Sequence, residues 1–269
     1  MLIAAHILNH ENYFQVDGAR AKFDPNKKIL VTDSNAPKAT DDEIKEIATA
    51  RIRPLLTDKN GVVYTLKEKE ITLEKYLRNN KKTGYANLPL KLFYVILDNT
   101  EKASKITAEE VSKDLKLAKD FIIPVSGFGL WAPIYGYLAI GPDGDTIIGT
   151  TWYDMGETPG LGANITEAWW QNKFPGKFIF RRGNDGKSDY KSAEMGIIVV
   201  KGRVQNVFGT SARASNAVDG ISGATLTGDG VTSAYQDSLS PYRAFLIKLH
   251  DSASVGNKED SKTKAEEKS

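Results

Sequence analysis

The sequence of 269 residues contains no cysteine. This absence excludes a disulfide framework, a thiolate metal site and a cysteine nucleophile, and it is compatible with either a reducing or an oxidising compartment. Histidine is scarce as well, because His6, His10 and His250 are the three in the chain and none has partners at metal-ligand spacing. We therefore expect no metal centre. No nucleophile signature places a histidine beside a serine or threonine, so hydrolase chemistry is not expected either.

The chain also lacks a strong charge imbalance and a long apolar run. Its 36 Lys and Arg residues stand against 34 Asp and Glu residues, a balance that does not suggest a nucleic-acid binder. No stretch approaches the roughly 18 consecutive apolar residues that a bilayer-spanning helix needs. The apolar segment 1–8 has no basic flank and no cleavage site, and polar residues 9–12 follow it at once. We expect it to be the remainder of a membrane anchor that has been removed.

The first half of the chain mixes helix and strand signals. Capping boxes at Thr40–Glu43 and Thr107–Glu110 each predict the start of a helix, and the second helix is expected to run towards Lys119. Residues 91–97 are rich in β-forming side chains and predict a strand. This half should therefore contain both helices and strands.

The second half has more glycine and more tight turns. Residues 135–140 and 146–153 flank the turn 141–144 and predict a hairpin, and 177–180 and 196–201 predict further strands. Strands joined by tight turns argue against a wholly parallel sheet. We therefore predict the α+β class, with a mixed or antiparallel sheet and flanking helices.

Four regions are expected along the chain. The last of them is a run of Ser, Lys, Glu and Asp with almost nothing to bury, which predicts disorder. The regions are an N-terminal segment (1–25), a smaller mixed α/β lobe (26–123), a larger domain (124–250) and a disordered charged tail (251–269).

The segment that carries the chemistry is Asp-Gly-Ile-Ser-Gly-Ala-Thr-Leu-Thr at 219–227, followed by a helical pattern with Val231, Tyr235 and Leu239 on one face. Small residues let the backbone approach a bulky ligand closely, and the first N–H groups of a helix favour a phosphate. On composition alone, a Gly/Ser/Thr loop before a helix is more often a plain N-cap than a ligand site. Both interpretations stay open at this point.

The full string resembles the flavinylation motif Asp-Gly-x-Ser/Thr-Gly-Ala-Thr, and every fixed position is present. In proteins with this motif the last threonine receives FMN through a phosphoester, transferred from FAD by a separate flavin transferase. The resemblance implies that Thr225 is the acceptor of covalent FMN. It assigns the remaining positions of the string to the cofactor site as well: Asp219 as the leading acid, Ser222, Gly223 and Ala224 as the recognised loop, and Leu226 and Thr227 after the acceptor.

A second match covers Gly129-Leu130-Trp131 through Tyr135-Gly136-Tyr137 and then Gly-Glu-Thr-Pro-Gly-Leu-Gly at 156–162. These segments resemble the FMN-binding domain of the C subunit of sodium-translocating NADH:quinone oxidoreductases. The G subunit of Rnf electron-transport complexes shares the motif and remains the alternative, with an anchorless flavinylated carrier as a third. The resemblance is carried by residues from about 124 to 250.

The resemblance implies an electron-transfer subunit of a membrane oxidoreductase. Its partners would be the other subunits and the flavin transferase, with no nucleic acid involved. The soluble domain would lie on the outer, periplasmic face of a bacterial inner membrane. From a different class, the alternative is a flavin-free binding module in which the loop at 222–225 merely caps a helix.

Contacts to the flavin ring are expected from two segments. The turn Glu157-Thr158-Pro159-Gly160-Leu161 should be rigid, with Glu157 ordering it and N–H groups facing the ring. Among the aromatic residues Trp131, Tyr135 and Trp152, we favour Trp131 as the one that contacts the flavin. The site residues expected here are Trp131, Glu157, Thr158, Gly160 and Leu161, whereas Trp169 and Trp170 are predicted to pack a short helix against the sheet.

Overall fold

The computed structural model describes residues 13–16, 18–84 and 87–266. The predicted anchor remnant at 1–8 lies outside these residues. The strands, in chain order, are β1 (Phe14–Val16), β2 (Ala19–Asp24), β3 (Ile29–Thr32), β4 (Ile52–Thr57), β5 (Val63–Thr65), β6 (Lys91–Ile96), β7 (Asp120–Phe128), β8 (Pro133–Ile140), β9 (Ile147–Asp154), β10 (Ile198–Val200) and β11 (Ala217–Asp219). The α-helices are α1 (Asp41–Arg51), α2 (Leu73–Thr83), α3 (Ala108–Lys113), α4 (Ala168–Gln171), α5 (Val204–Phe208), α6 (Thr225–Leu239) and α7 (Arg243–Glu266).

The central layer is a six-stranded antiparallel sheet in the order β5-β4-β6-β7-β8-β9. A separate antiparallel sheet holds β1, β2 and β3, and a parallel pair joins β10 to β11. Both predicted capping boxes are present, at Thr40 before α1 and at Thr107 before α3. The predicted α+β class with antiparallel strands is confirmed.

One face of the central sheet carries the main core. Phe93 and Val95 point to the same face because side chains alternate along a strand, and Val95 lies opposite Phe121 on β7. Phe93 and Phe121 therefore share this face. They pack against Phe245 of α7, with ring centroids 4.4 Å apart for the Phe93 pair and 5.8 Å for the Phe121 pair. Tyr235 of α6 is fully buried in the same cluster. Helices α6 and α7 are therefore held against the sheet, and the first turn of α6 is fixed with them.

The opposite face carries a smaller core formed by Leu92, Tyr94 and Ile122. Helix α2 covers it, and the Tyr76 hydroxyl of that helix donates to the Leu90 carbonyl at 2.8 Å. Burial raises the pKa of Tyr76 to about 12, so the hydroxyl stays a donor at physiological pH. Helix α2 is not among the elements predicted from the sequence.

The division at residues 123 and 124 is not a structural boundary. Residue 124 lies inside β7, and this strand pairs with β6 through Val95 and Phe121 and with β8 through Pro124 and Tyr137. The lobe predicted at 26–123 and the domain predicted at 124–250 therefore share one continuous sheet. Turn signals and changes in glycine content mark loops, but they do not reveal which strands pair across the chain.

The two ends of the chain also differ from the prediction. Within the segment predicted at 1–25, β1 and β2 form a sheet with β3, and Asn99 ties this sheet to the body through two hydrogen bonds to Leu30, at 2.7 and 2.6 Å. At the other end, α7 continues to Glu266, through most of the tail predicted to be disordered. Lys, Glu and Ala in that tail are good helix formers, and a preceding helix supplies the nucleus.

Two shorter elements differ in extent. Helix α3 ends at Lys113, and a 3-10 turn at Leu115–Leu117 replaces its predicted continuation. The strand predicted at 177–180 forms only isolated bridges, Thr146 with Phe178 and Phe180 with Met195.

Over the described ranges, no helix is long and apolar enough to cross a membrane.

Candidate functional site

Thr225 is the first residue of α6, and the loop before it comes directly from β11. Strand β11 pairs in parallel with β10, and Val218 lies opposite Val199. This pairing fixes the point from which the loop leads to the start of α6. The position before Thr225 is Ala224, which has no side chain that accepts a hydrogen bond from the first turn. The plain N-cap interpretation of the loop is therefore not what the structure shows. The N-terminal end of a 15-residue helix, with its partial positive charge, is left without a side-chain cap beside the exposed Thr225.

The loop at 219–224 depends on glycine at the point of closest approach. Gly223 has φ +75°, a conformation that L-residues with a side chain rarely adopt. A Cβ at Gly223 would lie 2.8 Å from Cδ2 of Leu161. The Leu161 side chain therefore lies directly over the loop, which brings the turn at 157–162 into contact with the segment that leads to Thr225.

Glu157 joins three parts of the site. Its carboxylate is 5% exposed and accepts hydrogen bonds from the N–H groups of Leu130 and Trp131, at 3.1 and 3.0 Å, and from the Thr227 hydroxyl at 2.5 Å. Burial alone would raise the pKa of Glu157, but the Thr227 hydroxyl and the backbone N–H groups outweigh it and hold the pKa below its ordinary value. The carboxylate therefore stays ionised and fixes the loop at 129–131 to the first turn of α6.

A cleft of about 610 Å³ opens beside Thr225. Three cationic side chains line it, and Asp219 is the one acidic residue among its lining residues. The cleft is lined by Trp169, Lys173, Lys201, Gly202, Arg203, Asp219, Gly220, Ile221, Ser222, Gly223 and Thr225. Its chemistry suits an anionic group carried by a flat or aromatic ligand.

Asp219 is held from several directions. Its Oδ1 accepts the Val204 N–H at 2.8 Å, its Oδ2 lies 3.2 Å from Nζ of Lys173, and its carbonyl accepts Nε1–H of Trp170 at 3.0 Å. The Val204 N–H, and after it Lys173 and Arg203, keep the pKa of Asp219 low against the opposing effect of burial. The leading acid of the motif therefore orders the loop that ends at Thr225.

The other predicted residues lie around the same helix start. Thr158 uses its carbonyl to accept the N–H groups of Leu161 and Ala163, each at 3.1 Å, and Gly160 supplies the φ of +75° that this turn requires. Trp131 is 65% exposed and Leu226 is 59% exposed. Leu226 follows Thr225 directly in the chain, and the Trp131 N–H donates to the same Glu157 carboxylate as the Thr227 hydroxyl, so both exposed apolar residues belong to the segments that meet at the start of α6.

The structure agrees with the preference for Trp131 over Trp152 as the flavin contact, and it contradicts the predicted burial of Trp169. Trp152 is 2% exposed and packs edge-on against Tyr235 in the core, so it cannot contact a cofactor. Trp170 is fully buried as predicted, but Trp169 is 52% exposed and lines the cleft beside Thr225. Adjacent residues of a helix point about 100° apart, so the two indoles of such a pair face different surroundings. That spacing is a signal against treating both as core residues, although it does not identify which one is exposed.

Sequence reasoning also missed Lys173, Lys201 and Arg203. Lys177, the first residue of the strand predicted at 177–180, donates to the Ala214 carbonyl at 3.0 Å and does not line the cleft. A single lysine or arginine in a sequence is usually an exposed residue, so nothing marks these three as site residues. Lys201 and Arg203 reach the loop only because β10, which precedes them, pairs with β11.

Comparisons with known proteins agree with this geometry. A family model described as the FMN-binding domain matches residues 129–240. The C subunit of the Na(+)-translocating NADH-quinone reductase of Chlamydia caviae is 45% identical over 252 residues, which cover 92% of this chain and 79% of that protein. The same subunit of Chlamydia pneumoniae is 44% identical over 253 residues, with the same coverage of both chains.

Solved structures give the same result. The crystal structure of NqrC from Shewanella oneidensis matches with a TM-score of 0.53 and 25% identity, over 78% of this chain and 89% of that one. The C subunit of the Na(+)-translocating NADH-quinone reductase from Parabacteroides distasonis matches with a TM-score of 0.50 and 26% identity, over 78% and 85%. Fold and site thus define a protein with an FMN-binding domain. The chain belongs to the family of the C subunits of Na(+)-translocating NADH-quinone reductases, as the resemblance implied.

Proposed function

We propose that this chain is an electron-transfer subunit of a membrane NADH:quinone oxidoreductase and that it carries FMN in phosphoester linkage on Thr225. One observation carries the proposal. Thr225 is an exposed residue at the uncapped N-terminus of α6 and lines a cleft with three cations. A phosphate bound there would meet free N–H groups, the positive end of the helix dipole and cationic side chains.

The residues present fit FMN at both of its ends. Gly220, Gly223 and Ala224 keep the loop free of large side chains where a phosphate must approach the backbone. For the ring, three exposed apolar side chains are available, those of Trp131, Leu161 and Leu226. Leu161 contacts the loop at Gly223, Leu226 follows Thr225, and the Trp131 backbone is tied to the first turn of α6 through Glu157. When bound, FMN supplies the capacity to accept and donate one or two electrons. The chain's own part would be to hold the flavin at this site.

The linkage reaction balances without a further oxidant or reductant. The Thr225 hydroxyl oxygen forms a bond to the phosphorus on the FMN side of FAD, the bond from that phosphorus to the AMP oxygen breaks, and AMP leaves with the electron pair. The hydroxyl proton must pass to a base. Since an ordinary threonine hydroxyl is a weak nucleophile at neutral pH, a separate flavin transferase would supply that base.

The test is the intact mass of the protein after co-expression with a flavin transferase. We expect a mass increase that matches esterified FMN, and flavin absorbance that stays with the chain after denaturation. Thr225→Val should lose both with little change in stability, because Thr225 is exposed and caps nothing through its side chain. Thr225→Ser, which keeps a hydroxyl, is the matched control and should retain some modification.

An unmodified, colourless protein in the presence of active transferase would contradict the proposal. In that case the flavin-free binding module would be the better account of the Ser-Gly-Ala-Thr loop.

The same proposal places the domain in an assembly. The other subunits of the oxidoreductase would be its partners, on the outer face of a bacterial inner membrane. Protease treatment of intact spheroplasts checks this location, because a domain on the outer face is digested while a cytoplasmic marker survives. Survival of the domain together with the marker would contradict it.

A further inference from the structure

The cleft beside Thr225 carries more positive charge than its own acid balances. Lys173, Lys201 and Arg203 face Asp219 alone among the lining residues, which leaves an excess of two positive charges. Such an excess is unfavourable in an unliganded cleft and becomes favourable when an anion enters. The question is which cation meets the anion first.

Lys173 is the most sheltered of the three cations. Its side chain is 33% exposed, whereas Lys201 and Arg203 are exposed residues. Solvent and salt screen a partly buried charge less than an exposed one, so an anion gains more from Lys173. Its position is also the best defined, because the preceding helix α4 is anchored by Trp170, whose indole is fully buried and donates to the Asp219 carbonyl.

The present partner of Lys173 can be exchanged. Nζ of Lys173 lies 3.2 Å from Oδ2 of Asp219, but the other oxygen of that carboxylate accepts the Val204 N–H at 2.8 Å. Arg203 also lowers the pKa of Asp219. Asp219 therefore keeps its orientation and a nearby cation when Lys173 turns away. A lysine side chain has four rotatable bonds and no fixed donor geometry, so this movement needs no backbone change.

We infer that Lys173 is the counter-ion of the phosphodiester on Thr225: in the unmodified chain it pairs with Asp219, and after linkage it pairs with the phosphate. The inference rests on the proposed function, since it assigns a positioning residue to the same site. No bond forms or breaks in the exchange. One ion pair replaces another, and the negative charge that modification brings is neutralised where it is attached.

Two measurements test the exchange in the full chain, with and without linked FMN. The first is the ³¹P chemical shift of the linked phosphodiester, which reports its nearest cation. The second is the change in midpoint of thermal unfolding that linkage produces. In Lys173→Gln we expect the ³¹P resonance to move and the stabilisation on linkage to fall by a few degrees. High salt should shrink that difference between the variant and the unaltered chain.

The matched control is Lys116→Gln, which removes the same charge from an exposed lysine that does not line the cleft. It should reproduce the ³¹P shift and the stabilisation of the unaltered chain. Should Lys173→Gln escape modification, Lys173→Arg decides. If Lys173→Arg is modified and its ³¹P shift is close to that of the unaltered chain, the result supports a cation at position 173 as the partner of the phosphate. If Lys173→Arg is also left unmodified, the exchange is overturned.

The outcomes separate the two proposals. A colourless, unmodified wild-type chain overturns both the proposed function and the role of Lys173. A yellow wild-type chain whose ³¹P shift and stabilisation are unchanged in Lys173→Gln overturns the role of Lys173 alone and leaves the linkage on Thr225 standing.

Discussion

Asp145 and Glu157, two of the buried carboxylates in the described part of the chain, are held in opposite ways. Asp145 is 2% exposed and pairs with Arg182 at 2.7 Å while it accepts the Phe180 N–H at 2.9 Å. Glu157 is 5% exposed and accepts hydrogen bonds only from neutral groups in the part of the chain that the structure describes. The negative charge of Asp145 is balanced by the positive charge of Arg182, whereas that of Glu157 has no cationic hydrogen-bond partner among the described residues.

The difference matches the surroundings of each residue. Asp145 ties residue 145 to the segment 180–190 through Phe180, Arg182 and Tyr190, so we assign it a structural role. Glu157 holds two loops and the start of α6 together beside the exposed residue Thr225, and its charge is stabilised by N–H and O–H dipoles. A cation at Glu157 would add a competing charge beside the site. The comparison indicates that charge pairing serves stability here, whereas neutral donors serve positioning.

The largest effect is expected from removal of Asp145. Asp145→Ala leaves Arg182 buried without its counter-ion and removes the acceptor of the Tyr190 hydroxyl, 3.2 Å away. Breaking a buried pair on one side typically costs about 3–5 kcal/mol. Urea denaturation should show this loss, while Asp145→Leu combined with Arg182→Met should lose much less because no charge is stranded.

An exposed ion pair provides the control for that experiment. Glu194 pairs with Arg181, but the Glu194 side chain is 66% exposed. Solvent screens such a pair, so Glu194→Gln should change the unfolding free energy far less than Asp145→Ala. Equal losses in the two variants would show that burial does not determine the importance of these pairs.

Glu157→Gln should have the second largest effect. The glutamine keeps one acceptor but presents an NH2 group to donors that the carboxylate now satisfies, which strands at least one of them. A lost hydrogen bond to a charged, buried group costs about 1–3 kcal/mol. Linked flavin should also become more exposed, which quenching of its fluorescence by iodide measures. Unchanged stability and unchanged quenching would refute a positioning role for Glu157.

The pH dependence of stability gives a finer test of the same residue. The Thr227 hydroxyl and the N–H groups of Trp131 and Leu130 hold the pKa of Glu157 low in the folded chain, despite its burial. The ordinary value in an unfolded chain is about 4.3. The stabilisation should therefore be complete above that value and be lost as the pH falls towards the lower, folded pKa. The difference in unfolding free energy between wild type and Glu157→Gln should be constant from pH 7 to about 5 and shrink below about 4.

Much of the fold could be predicted from local patterns. The capping boxes at Thr40 and Thr107 and the hairpin around residues 141–144 depend on neighbouring residues, and the structure contains all of them. The single sheet across residue 124 and the sheltered position of Lys173 could not be predicted, because both depend on partners far away in the sequence. The exposure of Trp169 could be predicted only in part, because helical spacing separates it from Trp170 without showing which of the two is buried.

The smallest effect concerns the loop that carries the motif. Gly223→Ala should destabilise the chain for two reasons, the φ of +75° and the closeness of Leu161 to the new methyl group. Gly176 has φ +78° with nothing within 4 Å of its would-be Cβ, so Gly176→Ala measures the conformational cost alone, about 1 kcal/mol. Gly223→Ala should exceed it, and Leu161→Ala in the same chain should remove the excess but not the rest. If Gly223→Ala and Gly176→Ala lose the same free energy of unfolding, Leu161 does not restrict the loop at Gly223. The turn at 157–162 would then not hold the motif in place through this contact.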